Sequence, residues 1–255
     1  MHRRKDGRGR LSDGLLMALF LLAGAAMLER FDRPDGGVVL DDMPVNRADT
    51  VAPAAAQPRA PAGPAVDLGR AAVLLDTIAV EPEHRRGYDR DAWPHWLDRD
   101  GDCLNTREAV LVAESLEAVR RSVDGCGVVS GRWRDPYTGE VFTNPGDLDI
   151  DHRVALQEAH DSGGHAWDRA RRAAYANDLD DPDTLVAVSA AANRAKGAKG
   201  PEEWLPPDSS ALCRYVAGWI AVKARWDLSM DERERITVAN ILANCRAQVA
   251  EGGPR

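Results

Sequence analysis

The chain has 255 residues, of which 44% are hydrophobic and 29% charged. This length and composition suit one good-sized globular domain with additional terminal segments. The formal net charge of −8 argues against a protein that grips nucleic acid by bulk positive charge, so any such contact must come from a local basic patch and a metal ion.

The N-terminus has the three parts of an export signal. Basic residues up to Arg10 precede an uncharged run of 15 residues, Gly14 to Leu28, with small residues at 23–26. Because about 20 apolar residues are needed to span a bilayer, this run is short for an anchor. We therefore predict a signal peptide over residues 1–26 and a secreted mature protein without a stable membrane partner. The alternative is an outward-facing protein held by an N-terminal anchor.

The segment that follows has the composition of a linker. Eleven of the 14 residues from Ala52 to Ala65 are Ala or Pro, which favours extended, unpacked backbone and predicts a linker over 27–66. Apolar residues then recur at helical spacing, so a first helix is predicted over 67–80. The folded domain is predicted to cover 67–250.

Alternating carboxylates occupy the stretch from Asp98 to Asp102. An EF-hand loop needs its glycine at the sixth position, whereas Gly101 is fourth here. A calcium site and a solvated turn therefore remain as two interpretations. Asn105 and Glu108 form a helix-capping pair after this loop. The inner side of that helix is predicted to consist of Leu111, Leu116 and Val119.

Two strands are predicted at 127–134 and 140–143, joined by a turn at Pro136–Gly139. A helix predicted at Trp167–Tyr175 carries the densest basic cluster of the mature chain. Its arginines form either a solvated face or a phosphate-binding face, with Arg171 and Arg172 as the candidates for phosphate.

The most informative stretch runs from Leu148 to Gly200. It opens with the sequence DIDH, which ends at His152, and closes with NRAKG, which begins at Asn193. A second strand is predicted between them at Leu185–Val188. Two strands followed by a helix can fold into a ββα unit that holds one hard metal ion.

This residue set suits the hydrolysis of a phosphodiester bond. A neutral histidine can take a proton from the attacking water, and a divalent ion can stabilise the leaving group. We therefore predict His152 as the general base, and Asp151 and Asn193 as oxygen ligands of one Mg²⁺ or Mn²⁺ ion. Lys196, one helical turn beyond Asn193, and Arg194 are predicted to contact the phosphate.

Two closing helices are predicted after this unit. The first buries one face; the second begins at the capping pair Ser229 and Glu232 and turns Ile236, Ile241, Leu242 and Cys245 inward. The cysteines are even in number and none has CxxC spacing, so two disulfides are predicted. Of three possible connectivities we favour Cys103–Cys126 and Cys213–Cys245, because each pair flanks a predicted helical segment.

From about Gly87 to Cys245 the chain resembles the secreted HNH endonuclease family related to the C-terminal nuclease domain of GmrSD-type restriction enzymes. The matching stretches are GYDR (87–90), SGRW (130–133), DPYTG (135–139), DIDH (149–152), ND (177–178), NRAKG (193–197) and EWLPP (203–207). The resemblance implies an α+β fold, a disulfide-stapled helical domain around a ββα-metal core. It also implies a nuclease whose substrate is DNA or RNA, and says nothing of an immunity or inhibitor protein.

One position departs from the family pattern. The middle Asn of the HNH pattern lies nine residues before the helix Asn, and this chain has Thr184 there. In the family this Asn braces a loop and helps to orient the histidine. Asn177, with Asp178, is the alternative candidate for that role.

Two other functions fit the same residues. One is a non-catalytic secreted module that binds calcium or a partner and carries a relic HNH unit. The other is a metal-dependent hydrolase of a phosphodiester that is not a nucleic acid, which would keep His152 and the ion.

Overall fold

The computed structural model describes residues 66–252. The α-helices are α1 (Leu68–Leu75), α2 (Thr106–Glu114), α3 (Leu156–Asp161), α4 (Arg169–Ala176), α5 (Ala190–Lys196), α6 (Leu212–Arg225) and α7 (Glu232–Ala250). The strands are β1 (Arg120–Arg121), β2 (Val128–Ser130), β3 (Trp133–Arg134), β4 (Val141–Phe142), β5 (Leu148–His152) and β6 (Leu185–Ser189). The strands form three antiparallel pairs, β1 with β2, β3 with β4 and β5 with β6. The protein is thus α+β, as predicted.

Some predicted segments fall outside this part of the chain. The signal peptide over 1–26 and the linker over 27–66, apart from its last residue, lie outside the described residues. Within residues 66–252, no helix has both the length and the apolar character needed to cross a membrane.

The centre of the fold is the pair formed by β5 and β6. The two strands pair without a shift in register, so Leu148 lies opposite Ser189 and His152 lies opposite Leu185. Every residue of β6 is buried, which explains its continuous apolar sequence, because both of its faces are covered. Helix α5 begins directly after β6, and the Ser189 hydroxyl caps it by accepting from the Ala192 amide at 3.2 Å. The chain therefore contains the predicted strand–strand–helix arrangement, while its assignment to the HNH type stays a prediction.

Alternation along β5 and β6 divides the core in two. On one face, Leu148 and Ile150 pack with Leu185, Ala187, Leu111 of α2 and Trp133 of β3. On the other face, Val186 and Val188 belong to the larger cluster that includes α1, α6 and α7. Successive side chains of a strand point to opposite faces, so each face of this pair contributes to a different cluster.

The strand predicted over 127–134 is split at Gly131. A Cβ atom at Gly131 would lie 2.6 Å from the Trp133 ring, so only glycine fits there. As a result β2 pairs with β1, and the predicted turn at 136–139 joins β3 to β4 instead. The single long strand predicted here is therefore wrong.

Some predicted helix limits also need correction. Helix α1 ends at Leu75, and Val80 beyond it forms a parallel bridge with Met230. Asn105 caps α2 by accepting from the Glu108 amide, as predicted, but α2 ends at Glu114. Leu116 thus lies beyond the helix and is exposed.

The start of α7 differs from the prediction as well. Its cap is Asp231, which accepts from the Glu234 amide at 2.7 Å. Ser229 is drawn into the core instead, where its hydroxyl donates to the Ser162 carbonyl. Ile236, predicted to face inward, is exposed because the buried face of α7 follows Val238, Leu242 and Cys245.

Both predicted disulfides are confirmed. Cys103 bonds to Cys126, and Cys213 bonds to Cys245. The first bridge spans α2 and β1, whereas the second joins α6 to α7. No free cysteine occurs in the described residues.

Candidate active site

His152, the last residue of β5, is held in one orientation. Its Nε2 lies 3.0 Å from the Ala176 carbonyl oxygen, and because a carbonyl only accepts, Nε2 carries the proton. The ring is 5% exposed and packs between Trp96 and Tyr175, with centroid distances of 5.9 and 6.1 Å. Nδ1 makes no hydrogen bond within residues 66–252.

Burial also fixes the charge of this ring. Desolvation lowers the pKa of His152 to about 3, and the nearby Lys196 ammonium acts in the same direction, while the bond to Ala176 opposes the shift. The imidazole is therefore neutral at pH 7, with its lone pair on Nδ1.

Asp151 is committed to a buried ion pair. One carboxylate oxygen accepts from Lys196 Nζ at 2.8 Å, and the other accepts from the Tyr137 hydroxyl at 2.8 Å. Asp151 is 4% exposed and Lys196 is fully buried. Lys196 Nζ also donates to the His152 carbonyl at 3.0 Å. Lys196 thus fastens α5 to the end of β5, and a contact between its ammonium and a phosphate would require it to leave this pair.

Asn193 lies beside a different carboxylate. Its Nδ2 is 3.0 Å from Asp149 Oδ2, and both residues are half-buried. Asp149 and Asp151 project from the same face of β5, toward α5, since side chains two apart on a strand share a face. The structure therefore brings Asn193 next to Asp149, and Asp151 next to Lys196.

His152 projects from the opposite face of β5. It lies on the side of Trp96 and Leu185, whereas the carboxylates lie on the side of α5. The general-base candidate and the oxygen ligands thus flank the end of one strand.

The last residue of α4 holds the histidine, and the two residues predicted to brace it lie in the loop that follows. Thr184 is buried and its hydroxyl donates to Asp178 at 3.2 Å. The Asn177 side chain makes four hydrogen bonds, to Pro94, Leu97, Thr106 and Ala173. Neither Thr184 nor Asn177 bonds to the His152 ring; the carbonyl of Ala176, one residue before Asn177, does so.

The predicted phosphate-binding arginines differ in their settings. Arg171 donates to Asp227 at 3.0 Å and lies over the Trp167 ring. Arg172 donates to the Gly164 and His165 carbonyls. Arg194 is exposed and makes no ion pair with any residue between 66 and 252. Of these three, Arg194 is the one whose guanidinium is not already engaged.

The acidic side chains of the loop before α2 accept hydrogen bonds from backbone amides of the same loop. Asp98 accepts from the amides of Gly101 and Cys103, and Asp102 accepts from the amide of Leu104. Carboxylate oxygens of Asp98, Asp100 and Asp102 also lie within 4.8 Å of one another, all exposed. The loop leads into α2, as predicted, and the calcium interpretation stays open.

Sequence reasoning missed three residues of this region. Tyr137 lies in the turn predicted at 136–139, although it is fully buried and its hydroxyl donates to Asp151. Arg153 is buried and donates to Asp183 at 2.9 Å. Asp149 belongs to the DIDH stretch, but the sequence predicts no separate role for it. Alternation along β5 was the one available signal, because it places Asp149 on the face of Asp151.

Comparisons with known proteins identify a secreted relative. The chain is 42% identical over 174 residues to an uncharacterized secreted protein of Arthroderma benhamiae, which covers 68% of this chain and 83% of the relative. No protein-family model and no solved structure matches the chain. The secreted relative and the two disulfides agree on an extracellular location. The chain therefore belongs to the same family as this secreted protein.

Proposed function

We propose that the protein is a secreted, metal-dependent HNH-type nuclease that hydrolyses phosphodiester bonds in DNA or RNA. The observation that carries the proposal is the state of His152. Its Nε2–H is fixed by the Ala176 carbonyl, and its Nδ1 keeps a free lone pair at the end of β5. Next to it, a strand–strand–helix unit bears carboxylate and amide oxygens.

His152 would act as the general base. A neutral imidazole accepts a proton from water only through its unprotonated nitrogen, which here is Nδ1. The bond to Ala176 holds the ring in this tautomer while the proton is taken. Since the ring is nearly buried between Trp96 and Tyr175, substrate access requires the segment that carries Trp96 to shift.

The oxygen donors of the unit fit one hard cation. Asn193 and Asp149 are adjacent and half-buried, and both offer oxygen atoms of the kind that Mg²⁺ and Mn²⁺ prefer. Asp151 fits such an ion only if the Lys196 ammonium leaves it. A bound ion would stabilise negative charge on the phosphate and the leaving oxygen. Arg194, exposed on α5, is the candidate in this unit for a second phosphate contact.

A plasmid-nicking assay on the secreted protein tests the proposal. With Mg²⁺ or Mn²⁺, supercoiled plasmid should be converted to nicked and linear forms, and excess chelator should stop the reaction. RNA and a small chromogenic diester serve as parallel substrates. Absence of metal-dependent cleavage of plasmid and RNA would overturn the proposal, and cleavage of the small diester alone would favour a different phosphodiesterase.

Variants separate the two carboxylates. If Asp149 and Asn193 hold the ion, Asp149→Asn and Asn193→Ala should weaken metal binding and leave thermal unfolding nearly unchanged. Asp151→Asn should mainly lower stability, because it removes a buried partner of Lys196. The reverse pattern would assign the ion to Asp151.

A calcium-binding module is the second candidate. The close carboxylates of Asp98, Asp100 and Asp102 favour it. Calcium binding that is lost in Asp100→Asn, in a protein that cleaves none of the substrates, would support this function.

A further inference from the structure

Three histidines lie close together at the end of α3. His84 lies in the segment before α2, His160 in the last turn of α3, and His165 in the 3₁₀ turn Gly164–Ala166. The rings of His84 and His165 stack at 4.1 Å, and both lie about the same distance from His160, 6.1 and 6.0 Å. Three imidazoles on one tetrahedral zinc ion, at Zn–N of about 2.0–2.1 Å, place their ring centroids roughly 5 Å apart.

The ring of His160 is held in a tautomer that leaves one nitrogen available to a metal ion. Its Nε2 lies 2.9 Å from the Arg86 carbonyl oxygen, so Nε2 carries the proton and Nδ1 has the lone pair. Nδ1 is buried and has no hydrogen-bond partner, in a residue that is only 4% exposed. A ring fixed by an N–H bond to a backbone carbonyl, with its other nitrogen unsatisfied, is the usual state of a metal-binding histidine.

The other two rings can complete the site. His165 Nδ1 is 3.3 Å from the His160 carbonyl, which leaves the lone pair on Nε2. Their backbones are fixed, since the His84 amide donates to the Asp161 carbonyl and Arg172 donates to the His165 carbonyl. Both side chains are exposed, so they can rotate toward His160. Such rotation is needed, because as placed the three donor atoms are not within 4.8 Å of one another.

A carboxylate next to His160 adds to the case. Asp161 is buried, and its Oδ1 likewise has no hydrogen-bond partner. An anionic group at this position would offset the charge of a bound cation. Buried polar atoms without partners are uncommon in native proteins, and two of them lie here on consecutive residues.

We propose that His84, His160 and His165 form a binding site for one zinc-type divalent ion, separate from the candidate active site. Imidazole ligands suit Zn²⁺, Cu²⁺ and Ni²⁺, whereas Mg²⁺, Mn²⁺ and Ca²⁺ prefer oxygen. The ion would join the segment around His84 to α3 and to the 3₁₀ turn, and so add a crosslink to the backbone hydrogen bond between His84 and Asp161. This proposal does not depend on the nuclease proposal.

Calorimetric titration of Zn²⁺ into the untagged secreted protein tests the site. A large excess of Mg²⁺ is kept in the buffer so that oxygen-rich sites are filled. We expect one Zn²⁺ per chain and a rise in the unfolding temperature. His84→Ala and His165→Ala should each weaken binding at least about 100-fold, because even an outer-shell partner of a metal ligand is worth 10–100-fold.

His95→Ala is the matched control, since His95 lies outside this cluster and should leave zinc binding unchanged. His160→Gln, which keeps a donor for the Arg86 carbonyl, should also abolish binding; if it fails to fold, the two exposed variants decide. The proposal is overturned if the wild-type protein does not bind zinc, or if His84→Ala and His165→Ala bind it as the wild type does.

Discussion

Lys196 shows how burial changes the role of a single residue. Its position one helical turn after Asn193 predicts a contact with phosphate, but the structure encloses its ammonium completely. There it bonds to the Asp151 carboxylate and the His152 carbonyl. A buried charge is tolerated only when it is paired, so Lys196 and Asp151 depend on each other.

Lys196→Met should therefore lower the free energy of unfolding by about 3–5 kcal/mol, because it leaves the Asp151 carboxylate buried without a cation. Urea denaturation measures this loss. Lys199→Met, on an exposed lysine three residues further on, should change stability by less than about 0.5 kcal/mol. A Lys196→Met protein with wild-type stability and reduced cleavage would instead favour a direct phosphate contact.

At the residue scale, adjacent motifs were easier to predict than contacts between distant residues. Alternation along the DIDH stretch determines which side chains share a face, and the helix start places Asn193 near that face. The hydrogen-bond partners of these side chains could not be predicted in the same way. Tyr137 reaches Asp151 across 14 residues and Asn193 reaches Asp149 across 44, and no local pattern marks either pair.

At the scale of elements, Asn177 connects the end of α4 to the segment before α2. Its side chain accepts from the Leu97 amide and the Thr106 hydroxyl, and donates to the carbonyls of Pro94 and Ala173. This segment includes Trp96, which packs on His152. Asn177 thus supports the histidine indirectly, through the elements on both sides of it.

Asn177→Ala should cost at least about 3 kcal/mol of stability, since three backbone groups and the buried Thr106 hydroxyl would lose their partner, at about 1–3 kcal/mol for each group that stays buried. Chemical denaturation gives the value. The capping variant Asn105→Ala is a useful comparison, because loss of one helix cap costs about 1 kcal/mol. Equal effects of the two substitutions would contradict the connecting role of Asn177.

Glu114 links α2 to β6 and makes their contact dependent on pH. Its carboxylate accepts from the Ala187 amide at 2.8 Å, and burial raises the pKa of Glu114 to about 7. A carboxyl group whose pKa is higher in the folded than in the unfolded state stabilises most below about pH 4.5, and this stabilisation is lost as the pH rises through about 7.

Glu114→Gln, which cannot ionise, should therefore gain stability relative to the wild type as the pH is raised from 5 to 8. The difference between the two proteins should change by at most about 1.4 kcal/mol per pH unit. Urea unfolding of both proteins at several pH values measures it. A difference that does not vary with pH would show that the carboxyl group titrates normally.

Elements were predictable where local patterns agree with packing. The Asn105 cap, the apolar β6 and the inner face of α6 follow from the sequence. The break at Gly131 does not, because it arises from the approach of the Trp133 ring. Similarly, Ser229 has the sequence of a helix cap, yet its contact with Ser162 in the core prevails and Asp231 becomes the cap.

At the scale of the whole molecule, the disulfides connect parts that are distant in sequence, as expected of an extracellular protein. The Cys213–Cys245 bridge closes a loop of 32 residues between α6 and α7. In the chain-entropy account, such a crosslink is worth about 3–4 kcal/mol through its effect on the unfolded state.

The double variant Cys213→Ala/Cys245→Ala should lose about this amount of unfolding free energy. Removal of Cys103–Cys126, which closes 23 residues, should cost slightly less. Denaturation without reductant compares the two variants with the wild type. An unchanged unfolding midpoint in the α6–α7 variant would contradict this prediction.

The central claim is that His152 serves catalysis as a base, and one paired measurement tests it most directly. His152→Gln keeps a donor for the Ala176 carbonyl but cannot accept a proton from water, so plasmid cleavage should fall by roughly 10²-fold to 10⁴-fold. Metal affinity, measured on the same purified protein, should stay at the wild-type value, because Asp149, Asp151 and Asn193 are untouched. Wild-type cleavage by His152→Gln, or loss of metal binding in step with activity, would contradict the account.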